Sequence, residues 1–114
     1  MRRLWLLALL LVGCAPTLAP TLERAGSEVT ITVAANAPAY NVTLSVLDAV
    51  TNDERCGVIG SDFGCVLGDI APGESVTVTG EARGKVSCVA FGLSQAGRID
   101  SYRPYACRVI GGGS

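Results

Sequence analysis

The residues able to do chemistry fall into three groups: cysteines, loop carboxylates and one arginine–tyrosine cluster. Cys56, Cys65, Cys88 and Cys107 lie in the body of the chain, 9, 23 and 19 positions apart. Cysteine-rich zinc sites and redox dithiols both use close C-x-x-C pairs, and none is present. The chain has no histidine, which removes histidine-based charge relays and His-containing zinc sites. Asp48, Asp53 and Glu54 gather in one polar stretch, with Asp62 and Asp69 further on. Calcium takes about six to eight oxygens, and the D-x-D-x-D-G spacing that supplies them is absent. Solvated loop charge is therefore the expectation, with no metal site, no cofactor and no catalytic residue. Arg98, Tyr102, Arg103 and Tyr105 form the aromatic-plus-arginine cluster. Such residues are favoured at interfaces, so these four are the candidate interaction residues, against the plainer reading of an edge strand with its approach loop. Lys85, the sole lysine, falls at a turn, which argues against an isopeptide cross-link.

The fifth cysteine has a different setting. Arg2 and Arg3 precede an apolar run from Leu4 to Val12, followed by Gly13 and Cys14. A basic start, a short apolar run and small residues at the exit describe a secretory signal peptide. The run is too short to cross a bilayer, which takes about twenty apolar residues. Leu11-Val12-Gly13-Cys14 resembles the bacterial lipobox. That resemblance implies a diacylglyceryl group on the Cys14 sulfur and cleavage just before it. Residues 1–13 would be the signal peptide, and the acyl chains on Cys14 would bind the protein to a lipid bilayer. Ala15 is not the aspartate associated with inner-membrane retention, so the resemblance implies the outer membrane where one exists. With Cys14 assigned to lipid, four cysteines remain in a small exported domain, an even count that reads as two disulfides. Of three pairings, Cys56–Cys65 and Cys88–Cys107 are expected, because each closes a sequence-local loop between predicted strands.

Cleavage before Cys14 leaves 101 residues, one domain and one core. Without Arg2 and Arg3 the balance is 7 Lys+Arg against 10 Asp+Glu, which argues against nucleic-acid binding and against a polybasic membrane patch. Residues 14–26 carry Pro16 and Pro20 and read as an extended tether, about 3.1 Å per residue. The alternative is that part of it joins the sheet as an edge strand. From Ser27 onward the pattern is strand-like. Val29, Ile31 and Val33 alternate with Glu28, Thr30 and Thr32; Val42, Leu44 and Val46 alternate with Asn41, Thr43 and Ser45. Cys56–Ile59 and Phe63–Leu67 flank Gly60-Ser61-Asp62 as a hairpin. Ser75–Ala82, Lys85–Ser94 and Tyr102–Ile110 complete seven strands, and 111–114 is a glycine tail. The expected architecture is all-β: an antiparallel β-sandwich over 27–110.

The stretch from Cys56 through Leu67-Gly68-Asp69-Ile70-Ala71-Pro72-Gly73-Glu74 to Val76–Thr79 resembles the conserved-repeat domains of bacterial secreted and surface-anchored proteins. Val29–Val33, Asn36 and Val42–Val46 fit the same pattern, so the match runs from about Ser27 to Gly80. It implies an immunoglobulin-like sandwich. The functional expectation is a membrane-anchored envelope lipoprotein, not an enzyme, with an interaction or structural role toward an envelope protein or surface polymer. The alternatives are an accessory subunit of a secretion, pilus or adhesion assembly, and a lipoprotein that binds a small ligand or ion.

Overall fold

The computed structural model describes residues 16–110; the expected signal segment 1–13, Cys14, Ala15 and the tail expected over 111–114 lie outside them. The described chain runs β1 (Leu18–Ala25), β2 (Glu28–Ala35), β3 (Ala39–Val50), β4 (Cys56–Ile59), β5 (Asp62–Ile70) and β6 (Ser75–Leu93). A 3-10 turn, η1 (Ile99–Ser101), then leads into β7 (Tyr102–Ala106) and β8 (Arg108–Ile110). No α-helix occurs among the described residues. All eight strands belong to one sheet, in the order β4-β5-β3-β6-β2-β1-β8, with β7 also paired to β6.

The sheet is folded over on itself, and β6 makes the fold. Ser75–Glu81 of β6 pairs with β2, whereas Glu81–Leu93 pairs with β3. One strand thus serves both layers, as corner strands do. The turning region carries Gly80, where a Cβ would stand 2.7 Å from the Val50 carbonyl oxygen and 3.4 Å from the Phe63 ring. Only glycine leaves room for β3 to cross there. At the other end of β6, a Cβ on Gly92 would lie 3.0 Å from Leu18 Cδ1 and 3.3 Å from Val42 Cγ2. This close approach brings β1 of one layer onto β6 of the other.

Between the layers lies one apolar core. Val29, Ile31 and Val33 face Val42, Leu44 and Val46, joined by Leu18, Leu22, Phe63, Ile70, Val78 and Ala90. Each fully buried branched side chain contributes about 1.5–3 kcal/mol relative to exposure. No polar or charged residue is buried among the described residues, so the core's stability comes from apolar contact and the ladders around it.

The expected all-β fold with two disulfides is the observed one, and the differences lie in how the strands divide. The tether assigned to 14–26 is incorrect over Leu18–Ala25, which form β1 across the whole length of β2. Leu18, Pro20 and Leu22 are buried and alternate with Ala19, Thr21 and Glu23. The two prolines obscured that period of two. Pro20 is tolerated because β8, the other neighbour of β1, pairs only with Thr21–Glu23; a missing N–H does no harm on an unpaired edge. The β1–β8 pairing is parallel, the one departure from the antiparallel arrangement expected. The domain therefore starts at β1, not at residue 27. Ser75–Ala82 and Lys85–Ser94 fuse into β6, while Tyr102–Ile110 breaks at Cys107 into β7 and β8.

Both disulfides form as expected. Cys56–Cys65 joins directly opposed residues of the β4–β5 hairpin. Cys88–Cys107 ties β6 to the junction of β7 and β8, beside a Cys107 N–H to Cys88 carbonyl bond of 2.9 Å.

Candidate interaction site

The cluster expected from Arg98, Tyr102, Arg103 and Tyr105 begins in the loop between β6 and β7. Gly97 sits at φ 72°, a conformation glycine adopts freely. The loop binds itself: Arg98 N–H donates to the Gln95 carbonyl at 3.1 Å and Ser101 N–H to the Arg98 carbonyl at 2.9 Å. The Ser101 hydroxyl donates to the Arg98 carbonyl at 2.6 Å and accepts from Gln95 N–H at 3.2 Å. Arg98 meets Asp100 through two bonds, Nε to Oδ1 at 2.9 Å and Nη2 to Oδ2 at 2.7 Å. That pairing holds the Asp100 carboxyl below its ordinary pKa and the guanidinium above its own. Arg103 Nη1 donates to the carbonyls of Asp100 and Tyr102. Both arginines therefore brace the loop, and their charges are partly spoken for.

Three of the four residues share this end of β7; Tyr105 does not. Tyr102 and Pro104 stand on the outer face of β7, whereas Tyr105 lies opposite Ala90 and packs against the core. The period of two along a strand separates them. Tyr102 stacks on Phe91 with ring centroids 5.6 Å apart and planes 3° from parallel.

That stack opens onto a face that local spacing does not single out. Strand registers align Pro104, Phe91, Thr43 and Val66 in one row, and Ala106, Val89, Ser45, Gly64 and Gly57 in the next. Leu47 and Ile59 lie beyond, both exposed, as are Val66 and Tyr102. An open groove of about 340 Å³ runs between Leu47, Gly57, Ile59 and Gly64. Its floor is low because two of those residues are glycines. The opposite layer differs in kind: its outer rows read Thr21–Thr32–Thr77 and Glu23–Thr30–Thr79, a hydrated hydroxyl surface. One side of the molecule is polar and the other largely apolar, with Asp62 in the lining of its groove. The signal for this was present in Leu47, Val66 and Ile59, apolar residues at the outward positions of their strands.

Of the carboxylates expected on loops, Asp48 lies in β3 and Asp62 and Asp69 in β5, where the last two do local structural work. Asn41 and Asp48 have φ of 51° and 61° and sit where the register of β3 shifts. Such left-handed residues mark β-bulges. At each one the backbone N–H donates to a carboxylate of β5: Asn41 to Asp69 at 3.0 Å and Asp48 to Asp62 at 2.9 Å. Asp53 accepts from Arg55 Nη2 at 2.6 Å, Nε at 3.0 Å and N–H at 2.9 Å. Among the described residues no cluster of three His, Cys, Asp or Glu could hold a metal.

The Arg55 guanidinium, helped by the Arg55 N–H, draws the Asp53 pKa from its ordinary 3.8 down to about 2. A lowered pKa stabilises the fold at pH values above the unfolded one, and the contribution is lost as pH falls from about 4 toward 2. An NMR titration should give Asp53 a midpoint near 2, moving up toward 3.8 in the Arg55→Gln protein, which loses the guanidinium but keeps the backbone N–H. A wild-type midpoint near 3.8 would show that the pair does not form in solution.

No protein-family model matches the chain, and no curated protein is similar to it. Solved structures are. The GH20 exo-β-N-acetylglucosaminidase of Vibrio harveyi matches in its complex with N-acetylglucosamine and again as an inactive mutant, each with a TM-score of 0.55 and 9% identity. Each alignment covers 83% of this chain and 18% of that chain. The likeness is one of fold. This chain spans less than a fifth of those enzymes.

Proposed function

We propose that this chain is an exported, lipid-anchored protein of the cell envelope with a non-catalytic role in binding or assembly. The observation that carries the reading is the contrast between the two outer faces. The apolar one, with Leu47, Ile59, Val66 and Tyr102 exposed and Tyr102 stacked on half-buried Phe91, has the chemistry of a contact surface. Two disulfides fit an oxidising compartment, and the lipobox-like Leu11–Cys14 supplies the anchor. The outer membrane is the destination where one exists.

Intact mass of the protein purified from native membranes tests this. The mass should begin at Cys14, include a diacylglyceryl group, and be lower by four hydrogens for the two disulfides. A chain retaining residues 1–13, or one with four free thiols, would refute export and anchoring. Hydrolysis of an envelope polymer by the pure protein would refute the non-catalytic part.

A further inference from the structure

We infer that the Gln95–Arg103 loop is a membrane-contact element, seating the domain on the bilayer that holds Cys14. The inference rests on the anchored reading proposed above and adds to it an orientation and a second point of attachment.

Chain geometry places the loop close to the anchor. Pro16 is tied to the first turn of the sandwich: Asn36 Nδ2 donates to the Pro16 carbonyl at 2.9 Å and Asn36 N–H to the Thr17 carbonyl at 2.9 Å. The turn at Ala71–Glu74 joins the same end, with Gly73 N–H donating to the Ala35 carbonyl at 2.9 Å. Tyr40 pairs with Leu93 and Leu93 with Tyr102, so the Ser94–Ser101 loop closes that end as well. Two residues span at most about 7 Å. A lipid on Cys14 therefore holds this end of the sandwich against the headgroups, where a twelve-residue tether would have left it far above them.

The loop has the chemistry for that position. Ile99 is 84% exposed on a turn that its own hydrogen bonds hold in shape, so little ordering remains to be done on contact. Tyr102 is beside it, and tyrosine favours the membrane–water interface. Arg98 and Arg103 flank the apolar tip with heads that can reach phosphate oxygens while their stems lie along it. Because Arg98 is already paired with Asp100, the contact depends on the apolar tip more than on lipid charge. It should form on zwitterionic lipid and persist at high salt.

A second isoleucine provides the control. Ile59 is also 84% exposed but lies at the far end: it pairs with Asp62, which binds Asp48 N–H, and nearby Ala49 pairs with Ala82. The sole tryptophan, Trp5, is lost with residues 1–13, so a substituted tryptophan reports alone. Ile99→Trp and Ile59→Trp proteins in their mature, lipidated form would be purified from membranes and reconstituted into phosphatidylcholine vesicles with bromine-labelled chains. Both should float with the vesicles. Quenching by the brominated chains should be at least about twofold stronger for Ile99→Trp, unchanged in high salt. Equal, weak quenching of two floating proteins would overturn the docking while leaving the anchor in place. Shielding of the Ile99→Trp reporter from aqueous iodide without lipid quenching would mean that a protein covers the loop, and would overturn it too. Failure to float would remove the anchor and the docking together.

Discussion

Reduction of both disulfides should remove about 6 kcal/mol of stability and lower the melting temperature by tens of degrees. In the chain-entropy account, closing loops with sequence separations of 9 and 19 constrains the unfolded chain by about 3 kcal/mol each. A domain of this size has about 5–15 kcal/mol in all. At roughly 4–8 °C per kcal/mol, losing one cross-link should lower the melting temperature by about 12–24 °C. The two are not equivalent in placement. Cys56–Cys65 staples an edge hairpin that its own ladder already holds. Cys88–Cys107 closes the longer loop and fixes β6 to the junction of β7 and β8, while each bond has one half, Cys65 or Cys88, buried in the core. The Cys88→Ala/Cys107→Ala protein should therefore melt below the Cys56→Ala/Cys65→Ala protein. Calorimetry with and without reductant checks this, and an unchanged melt with all thiols shown to be free would contradict it.

Leu18→Ala should destabilise the domain by about 2–5 kcal/mol, because it empties a core position and the rigid layers collapse only partly around the cavity. Leu18 is 1% exposed and meets the β6 backbone at Gly92 beside Val42. The same substitution in a solvated tether would change stability by less than about 0.5 kcal/mol. Chemical denaturation distinguishes the two cases. A change that small would mean β1 is not part of the folded unit, and the close seating of the domain beside Cys14 would fall with it.

The regular alternation was legible wherever it was uninterrupted. Val29, Ile31, Val33, Val42, Leu44 and Val46 all occupy the core positions their spacing assigns. Proline hid β1: Leu18, Pro20 and Leu22 share a face, but a proline between leucines reads as a linker until an edge is known to be free. Arg83–Lys85 resembled a turn because glycine and charge usually end a strand; here the strand runs on through them and changes layers. For the candidate site, Arg98, Tyr102 and Arg103 were legible as a group, while strand alternation takes Tyr105 inward. Asp62 and Asp69 were expected as loop charge, whereas both lie in β5 and accept from the N–H groups of Asp48 and Asn41. Their partners depend on cross-strand register, which is set by the whole sheet and not by local spacing.

The parallel pairing of β1 with β8 decides how the domain would carry a mechanical load. Thr21–Glu23 run beside Arg108–Ile110 in the same direction, with Pro16 at one end of this pair and Ile110 at the other. Tension between those two points pulls the strands lengthwise past each other, so the ladder bonds share the force and must break together instead of peeling one at a time. The Cys88–Cys107 bond limits any extension after that rupture, since the residues it encloses cannot pay out even when β8 slips. A domain held at Pro16 and pulled at Ile110 is loaded in shear across the β1–β8 ladder.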